Sequence, residues 1–299
     1  MSNLYDMIII GGGPAGLTSA VYGRRAGKSV LVIEKNTFGG QITWSPKVEN
    51  FPTILSASGA EIGERMMMQA MEQGADLELE EVLAVRKDGG IFQVSCESGA
   101  SFSGRSLIIA TGAKPRTLGI PREEELTGSG VCFCAVCDGA FFKGKAVAVN
   151  GGGNSALQDA LLLSESCSKV YLIHRRDSFR GEQTLVDTLR KKDNVEFVLN
   201  ASVAELLGEE ELEGLRLDTG RVLEVAGLFV AIGHQPQNEA FSELLALDAH
   251  GYASSGEDTL TPVPGVFVAG DCRNKKVRQL TTAVADGAAA ALAACSYLN

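Results

Sequence analysis

The length, composition and charge of the chain exclude several classes of protein. Its 299 residues are too many for one small core and predict one large or two medium domains. A hydrophobic content of 45% with 21% charged residues is typical of a packed globular protein and not of a disordered chain. The formal net charge of -10 argues against nucleic-acid binding, and no apolar run approaches the roughly 20 residues that span a bilayer. We therefore expect neither a nucleic-acid partner nor a membrane partner.

The first part of the chain has the pattern of a dinucleotide-binding unit. An apolar run at Met7–Ile10 leads into Gly11-x-Gly13-x-x-Gly16, a helical stretch follows, and a second apolar run ends at Glu34. Glycines at this spacing let the backbone approach a pyrophosphate at a helix N-terminus, where unpaired N–H groups favour anions. Glu34 is placed to accept hydrogen bonds from ribose hydroxyls. A tight turn in an α/β domain that binds no nucleotide is the structural alternative.

A second unit of the same kind follows in the middle of the chain. Gly151-x-Gly153-x-x-Ala156 again comes after an apolar run and opens a helical stretch. Its second apolar run ends at a basic cluster in place of an acid, namely His174, Arg175, Arg176 and Arg180. A carboxylate would repel a 2'-phosphate there, whereas guanidinium groups bind phosphate in a bidentate manner. The cluster therefore predicts a preference for NADP over NAD, with a solvated basic patch as the alternative.

The two units end in similar segments, "IIATGAKPR" at 108–116 and "FVAIGHQPQ" at 229–237. After the second, "PGVFVAGD" predicts a strand that ends at Asp271, and an alanine-rich helix follows. Because the second unit has no strand left to accept this segment, we expect it to return to the first. The sequence thus predicts an α/β fold of two Rossmann-like domains with three ββα layers, the second inserted into the first. The first domain would comprise residues 1–115 and 241–299, and the second residues 116–240.

Three segments between these motifs have simpler patterns. The methionine-rich stretch 59–76 has apolar residues near helical spacing, so its methionines are expected in a helix core and not in a ligand site. The alternating stretches 76–104 and 205–225 each predict a small antiparallel meander.

The cysteines are scattered except for one close group. Cys134 and Cys137 form a Cys-Ala-Val-Cys pair shortly before the second glycine turn, and Cys132 lies beside them. Isolated thiols indicate a cytoplasmic protein, in which a close pair is catalytic or metal-binding. A zinc site needs a second ligand pair, which the sequence does not show, and two structural cysteines are the other alternative. A helix that begins at this pair would favour a thiolate, and Asp138 is placed to protonate a leaving one. Cys132 is expected to be a small buried hydrophobe.

These motifs in their order resemble the low-molecular-weight thioredoxin reductases. The resemblance covers essentially the whole chain through "GGQITWSPKVENFP", "CAVCDGAFF", "GGGNSA", "HRRDSFR", "GVFVAGD" and "RQLTTAVADG". It implies FAD in the first domain, NADPH in the second, a homodimer, and thioredoxin or a thioredoxin-like protein as partner. The implied activity is that of a thioredoxin-disulfide reductase. Electrons would pass from NADPH to FAD, then to a Cys134–Cys137 disulfide and then to the partner, with rotation of the domains between steps.

The resemblance also assigns site residues, none of them to a metal. Cys137 would face the flavin and Cys134 would attack the partner disulfide, with Asp138 as proton donor. The implied FAD positions are Gly11, Gly13 and Gly16 at the pyrophosphate, Glu34 at the ribose, Gly40, Gln41 and Asn50 along the isoalloxazine, Asp271 at the ribitol, and the backbone of Arg278 and Gln279 at the flavin. Further implied cofactor positions are Pro14, Ala15, Lys35, Gly39, Ala110, Thr111, Gly112 and Gly270. The implied NADPH positions are Gly151, Gly153, Asn154, Ser155, Ala156, His174, Arg175, Arg176, Arg180, Ile232 and Gly233.

The chain departs from the family pattern in a few places. Val136 replaces the usual threonine of the Cys-Ala-Thr-Cys box, and Trp44 with Pro46 interrupts a stretch that is usually rich in threonine. Asn150 puts a polar residue beside the second glycine turn. Three other functions are possible for such a chain: a flavoprotein that reduces a peroxidase or another dithiol partner, a thioredoxin reductase linked to ferredoxin, and a redox sensor without turnover. The flavoproteins that reduce a peroxidase usually have an extra N-terminal module.

Overall fold

The computed structural model describes residues 4–299. The strands are β1 (Leu4–Ile10), β2 (Val30–Glu34), β3 (Asp76–Leu79), β4 (Val82–Asp88), β5 (Ile91–Cys96), β6 (Ser101–Ile109), β7 (Ala113–Pro115), β8 (Val131–Cys132), β9 (Ala146–Asn150), β10 (Lys169–His174), β11 (Val195–Leu199), β12 (Val203–Leu207), β13 (Gly214–Leu217), β14 (Val222–Glu224), β15 (Gly227–Val230), β16 (His234–Pro236) and β17 (Val266–Val268). The helices are α1 (Pro14–Arg25), α2 (Gly59–Glu72), α3 (Ala135–Asp138), α4 (Asn154–Ser164), α5 (Gln183–Leu189) and α6 (Leu280–Leu298), with 3₁₀ turns at Gly40–Trp44, Gly139–Phe142, Glu239–Phe241 and Gly270–Cys272. Within the described residues, every helix is too short or too polar to cross a bilayer.

The chain forms two compact units. Unit 1 is the part up to Lys114 together with Gln235–Asn299, and unit 2 is Pro115–His234. The return to unit 1 thus comes six residues earlier than the sequence suggested. The reason is local, because the side-chain amide of Asn238 donates to the carbonyl oxygens of Gly251 and Cys272 in unit 1. The strands at the two boundaries, β7 and β16, pair with each other.

Unit 1 is built on a sheet in the order β3-β2-β1-β6-β5-β4, with β17 also paired to β6. Strands β3, β2, β1, β6 and β17 run parallel, whereas β4, β5 and β6 are antiparallel. The prediction of one meander over 76–104 is therefore wrong at its start. Asp76–Leu79 follows α2 and pairs in parallel with β2, because the helix supplies the crossover that a parallel neighbour needs.

The sheet of unit 1 separates two apolar cores. Side chains of a strand alternate between its faces, so Met7 and Ile9 pack against α1, α2 and α6, while Ile8 and Ile10 pack on the opposite face against residues of β5 and β6. All of these side chains are buried, and burial of one such side chain contributes about 1.5–3 kcal/mol. The parallel sheet thereby lies between a layer of helices and a layer formed by the meander.

The helix α2 agrees with the methionine-rich pattern only in part. Ile62 and Ala70 are buried, and Met66 and Met67 pack against the core, but Met68 is half exposed. The methionines of the stretch are therefore divided between core and surface.

Small residues bring α6 close to α1. A Cβ on Gly287 would lie 2.2 Å from the carbonyl oxygen of Ala15, and the hydroxyl of Ser19 donates to the carbonyl oxygen of Gly287 over 2.9 Å. Only a glycine permits this approach of backbone to backbone. Its consequence is that the segment between β17 and α6 lies beside the first turn of α1.

The end of the chain differs from the expectation at one point. β17 ends at Val268 and not at Asp271, because Gly270 has a φ of +80° and turns the chain into a 3₁₀ turn that contains Asp271. The alanine-rich segment is α6, and β17 pairs with β6 of unit 1.

Unit 2 repeats this plan with a different strand at one edge. Its parallel sheet has the order β11-β10-β9-β15-β8, with α3, α4 and α5 packed on one face and the antiparallel meander β12-β13-β14 on the other. In each unit a fifth parallel strand pairs next to the strand that follows the meander, β17 beside β6 in unit 1 and β8 beside β15 in unit 2. In the sequence, β17 follows the other strands of its sheet, whereas β8 precedes them. Both units are therefore Rossmann-like folds with three layers, and the segments after β17 and β8 occupy equivalent positions.

Candidate functional site

The glycine turn of unit 1 forms an open helix N-terminus. Gly13 is the N-cap of α1, no side chain bonds to the cap, and the first turn has no acidic residue. Gly11 has a φ of +111°, and a Cβ there would lie 2.3 Å from the carbonyl oxygen of Ala110. A Cβ on Gly16 would lie 1.9 Å from the carbonyl oxygen of Gly11. These glycines let β1, α1 and the end of β6 meet closely, and they leave backbone N–H groups for an anion.

Two further predicted segments meet this turn. The N–H of Gly39 donates to the carbonyl oxygen of Gly12 over 2.8 Å, and a Cβ on Gly40 would lie 3.0 Å from the Cα of Gly13. On the α6 side, a Cβ on Gly270 would lie 2.9 Å from the Cβ of Ala15. Residues that are far apart in the sequence thus surround the start of α1.

Side-chain contacts extend this group of residues. The Gln41 amide donates to the carbonyl oxygen of Ala113 over 3.0 Å, and Gly112 with a φ of +69° lies beside it. The amides of Asn50 and Gln279 are 3.5 Å apart, at the N-cap of α6. The predicted residues of unit 1 are therefore together at the carboxyl end of its parallel sheet, where open α/β sheets bind ligands.

Glu34 lies at the end of β2 next to a cavity. Its carboxylate accepts hydrogen bonds from the N–H groups of Gly12 at 2.7 Å and Asn36 at 2.9 Å, which fixes its orientation. Lys35 pairs with Glu81 at 3.6 Å. The cavity has a volume of about 320 Å³, and its lining includes Ile10, Gly11, Glu34, Lys35, Val82, Thr111, Gln237 and Phe241. The lining has charged and amide side chains as well as apolar ones, so a nucleoside would find both hydrogen-bond partners and apolar contacts there.

Buried polar atoms that have no hydrogen-bond partner show whether the two sites fit a polar cofactor. Among the described residues there are three, namely His174 Nε2, Asp271 Oδ1 and Arg278 Nε. All three belong to residues that the sequence assigned to cofactors. A buried polar group without a partner costs about 1–3 kcal/mol, so these atoms fit a polar ligand that would satisfy them. The donors and acceptors of the two sites thus fit a flavin in unit 1 and a pyridine nucleotide in unit 2.

The glycine turn of unit 2 has the same form as that of unit 1. Gly153 is the N-cap of α4, without a side-chain cap or an acidic residue in the first turn, and a Cβ there would meet no atom within 4 Å. A Cβ on Gly151 would lie 2.4 Å from the carbonyl oxygen of Ala231 and 2.7 Å from the Cβ of Ala156. Asn154 exchanges hydrogen bonds with Glu182, and Ser155 is exposed.

The basic cluster lies at the carboxyl end of β10. Arg175, Arg176 and Arg180 are exposed, and none of them forms an ion pair with another described residue. The N–H of Arg180 donates to the carbonyl oxygen of Gly152 over 2.8 Å, which brings it to the glycine turn. His174 differs from the arginines, because it is buried and stacked on Phe179, and burial lowers the pKa of its imidazole. The positive charge of the cluster thus comes from the arginines.

The other edge of this site is the end of β15. The N–H of Ala231 donates to the carbonyl oxygen of Asn150 over 2.9 Å, and Ile232 and Gly233 follow, the latter with a φ of +105°. The side chain of Asn150 has no hydrogen-bond partner between residues 4 and 299, so the structure gives this departure from the family pattern no structural role.

The close cysteines follow β8. Cys134 and Cys137 form a disulfide with their Cα atoms 5.3 Å apart. Cys134 is the N-cap of α3, and its sulfur accepts a hydrogen bond from the N–H of Cys137 over 3.2 Å. Such a bond stabilises negative charge on Cys134 when the disulfide opens. The disulfide therefore occupies the position in unit 2 that Gly270–Cys272 occupies in unit 1, after the fifth parallel strand.

Asp138 has the environment of an acid–base group. Burial raises the pKa of its carboxyl to about 6, although a hydrogen bond with Cys132 acts in the opposite direction. Burial and the nearby Asp138 also raise the pKa of the Cys132 thiol, which remains protonated and acts as donor. Cys132 is buried in the core of unit 2, as predicted, but its link to Asp138 was not predicted, although a third sulfur near an acid was a signal for it. Asp159 on α4, whose pKa burial also raises to about 6, was missed as well.

The alternative of a metal site has no support in these residues. Cys134 and Cys137 bond to each other, and over residues 4–299 no group of three or more histidine, cysteine or acidic side chains is arranged to hold a metal ion.

Known proteins share this arrangement over the whole chain. The model of the pyridine nucleotide-disulphide oxidoreductase family matches residues 5–287, and the chain belongs to this family. Its relatives include thioredoxin reductases of Peptoclostridium acidaminophilum (40% identical, covering 100% of this chain and 98% of the relative) and Listeria monocytogenes (39%, covering 99% and 94%). The crystal structure of thioredoxin reductase from Streptococcus pyogenes superimposes with a TM-score of 0.94 at 36% identity and covers 100% of this chain and 99% of that one.

Replacement of Asp138 tests its role as proton donor. Its protonated form predominates below about pH 6, so donation to a leaving thiolate should be lost as the pH rises through that value. We expect the rate at which a small dithiol opens the Cys134–Cys137 disulfide, expressed per thiolate, to fall by at least about tenfold between about pH 5 and pH 8. In Asp138→Asn this rate should be lower at pH 5 and independent of pH.

Asp159→Asn is the matched control, because Asp159 is a second acid of unit 2 with a pKa of about 6. It should keep the pH dependence of the unmodified chain. A pH profile that Asp138→Asn leaves unchanged, or that Asp159→Asn abolishes, would show that Asp138 is not the donor.

Proposed function

We propose that the chain is a thioredoxin-disulfide reductase that uses NADPH and FAD. The observation that carries the proposal is the Cys134–Cys137 disulfide, which lies in the same unit as a glycine turn with three arginines that form no ion pair. A second glycine turn of the same kind lies in the other unit. The relatives at about 40% identity that are named thioredoxin reductase support the choice of thioredoxin as partner.

FAD is the flavin that fits unit 1. A pyrophosphate would bind at the open N-terminus of α1, and the cavity beside Glu34 would take the adenosine, which flavin mononucleotide lacks. Asp271 Oδ1 would accept from a ribityl hydroxyl, and Arg278 and Gln279 lie at the start of α6 on the same side of the turn. The two halves of the site thus correspond to the two halves of FAD.

NADPH is the nucleotide that fits unit 2. Its pyrophosphate would bind at the start of α4, and the guanidinium groups of Arg175, Arg176 and Arg180 would pair with the 2'-phosphate. The alternative in the sequence analysis, a solvated patch, explains the exposure of these arginines but not their place beside the glycine turn.

The residues of unit 2 would carry the thiol chemistry. A bound flavin accepts a hydride from a reduced nicotinamide and passes two electrons to a disulfide. When the electron pair enters the disulfide through Cys137, the sulfur–sulfur bond breaks and both sulfurs become thiolates. Asp138 then gives a proton to Cys134, and Cys137 keeps its charge. The N–H of Cys137 at the start of α3 stabilises the charge on Cys134 before the proton arrives.

The dithiol is then oxidised by the partner. Cys134 returns its proton to Asp138 and attacks one sulfur of the partner disulfide, which releases the other sulfur as a thiolate and forms a mixed disulfide. Cys137 attacks Cys134 in this mixed disulfide, restores the disulfide of the chain and releases the second partner sulfur. Two electrons have thus moved from the chain to the partner.

Rotation of the units between steps is part of the proposal. The disulfide and the nicotinamide site both belong to unit 2, whereas the flavin site belongs to unit 1. One face of a flavin has little room for both, and the partner must later reach Cys134, so a fixed arrangement would not serve all three contacts. We also propose a homodimer, on the resemblance to the thioredoxin reductases, and a cytoplasmic location, because the cysteines other than Cys134 and Cys137 are isolated thiols.

Cysteine variants test the proposed reaction. Cys134→Ser and Cys137→Ser should each reduce turnover of thioredoxin disulfide with NADPH by at least about a thousandfold, while bleaching of the flavin by NADPH in the absence of oxygen remains. Cys295→Ala, which removes a buried cysteine of unit 1, is the control and should keep turnover. If Cys134→Ser retained full turnover with thioredoxin, electrons would leave the chain by another route.

The arginine cluster is tested by its effect on nucleotide preference. Arg175→Ala combined with Arg176→Ala should cost on the order of 3 kcal/mol in binding of NADPH, roughly a hundredfold, and little in binding of NADH, because only NADPH has the 2'-phosphate. The measurement is kcat/KM with each nucleotide.

Arg190→Ala with Lys191→Ala removes the same charge from another exposed site of unit 2 and serves as the control. An unchanged ratio of the two efficiencies in Arg175→Ala with Arg176→Ala would show that the cluster does not bind the phosphate.

A further inference from the structure

One carboxylate fixes the turn after β17 to α6. Asp286 accepts hydrogen bonds from the N–H of Gly270 at 3.0 Å, from Nε and Nη2 of Arg273 at 2.8 and 2.7 Å, and from Nζ of Lys275 at 2.9 Å. The side chains of Arg273, Lys275 and Asp286 are at most 10% exposed. Buried charges are stable only when they are paired and hydrogen-bonded, and here Asp286 satisfies both cations. The backbone on either side of Asp271 is therefore held in place.

Asp271 has a different set of neighbours from Asp286. Its Oδ1 atom is buried and has no hydrogen-bond partner within the described chain. The ammonium of Lys275 is 3.9 Å away, which is too far for a hydrogen bond but close enough for a strong charge interaction. Lys275 thus gives its hydrogen bond to Asp286 and only its charge to Asp271. The oxygen of Asp271 is left as an acceptor for a ligand.

The charges that face Asp271 come from two elements. Lys275, Arg273 and Arg278 belong to its own segment, and Asp286 belongs to α6, while the first turn of α1 has no charged residue. Burial raises the pKa of Asp271, and Lys275 opposes this more than Arg278 or Arg273 does. Loss of the Lys275 charge would therefore favour the protonated acid.

We propose that Lys275 is a positioning residue, which keeps Asp271 ionised so that its free oxygen accepts a hydrogen bond from a hydroxyl of the ribityl chain of the flavin. This inference rests on the proposed binding of a flavin in unit 1. It assigns to Lys275 a role in holding the cofactor that the sequence motifs of the chain do not include.

The pH dependence of flavin release tests this role. The loaded protein is diluted into buffers from about pH 5 to pH 9, and the fluorescence of the released flavin gives the dissociation rate. In the unmodified chain the rate should rise as the pH falls through the pKa of Asp271, because the protonated acid no longer accepts. Lys275→Met should move this transition up by about one pH unit or more, with roughly tenfold faster release between the two midpoints.

Three variants separate positioning from mere structure. Lys276→Met removes an exposed neighbouring lysine and should leave the transition unchanged. Lys275→Arg keeps the charge and should restore the original midpoint. Asp271→Asn should abolish the transition, and Lys275→Met added to it should have no further effect on the pH profile. If Lys275→Met loses its flavin on purification, Lys275→Gln, which can still donate to Asp286, replaces it in the comparison.

The outcomes distinguish this inference from the proposed function. A midpoint that stays in place in Lys275→Met, with a changed melting temperature alone, would overturn the inference and leave flavin binding intact. A midpoint that moves equally in Lys276→Met would also overturn it, since the effect would then be one of general charge. An unmodified chain that binds no flavin would overturn the proposed function together with the inference.

Discussion

The open N-termini of α1 and α4 are the constraint on which the rest of the structure depends. Each helix begins at a glycine N-cap without a side-chain acceptor, so its first N–H groups remain for an anion. This requires backbone to pass backbone closely, which glycines at Gly11 and Gly151 permit. The parallel strands then bring Glu34 in unit 1 and the arginine cluster in unit 2 to the carboxyl edge of their own sheets. Two copies of one anion site thereby determine where both cofactors can bind in this chain.

The fifth strand of each sheet gives the two copies different chemistry. In unit 1 the segment after β17 supplies Asp271, a buried acceptor suited to a hydroxylated ligand. In unit 2 the segment after β8 supplies the Cys134–Cys137 disulfide and Asp138. In unit 2, β8 comes before the glycine turn in the sequence, whereas in unit 1, β17 comes after it. The two strands nevertheless take the same position in their sheets. Nucleotide binding and thiol chemistry can therefore share one unit without sharing residues.

The sequence predicted those features that depend on local pattern. The glycine turns, the ends of β2 and β10, and the insertion of one domain into another follow from spacing and repetition, which are visible in a single chain. Features that depend on tertiary contacts were missed. Asp286 lies 16 residues after Gly270 in the sequence, and Lys275 has no motif to mark it. The end of β17 was placed three residues late because the left-handed turn at Gly270 cannot be seen in an apolar run. Burial of His174, which lowers the pKa of its imidazole, also depends on packing with Phe179.

The central claim is that electrons from a pyridine nucleotide pass through a flavin to the Cys134–Cys137 disulfide. The most direct measurement is a titration of the purified chain with NADPH in the absence of oxygen, in which flavin absorbance and free thiols are followed together. The account predicts that about two equivalents of NADPH are taken up per flavin, and that about two new thiols appear per chain, because the flavin and the disulfide each accept two electrons. Bleaching of the flavin after one equivalent, with no new thiol at any excess of NADPH, would contradict it.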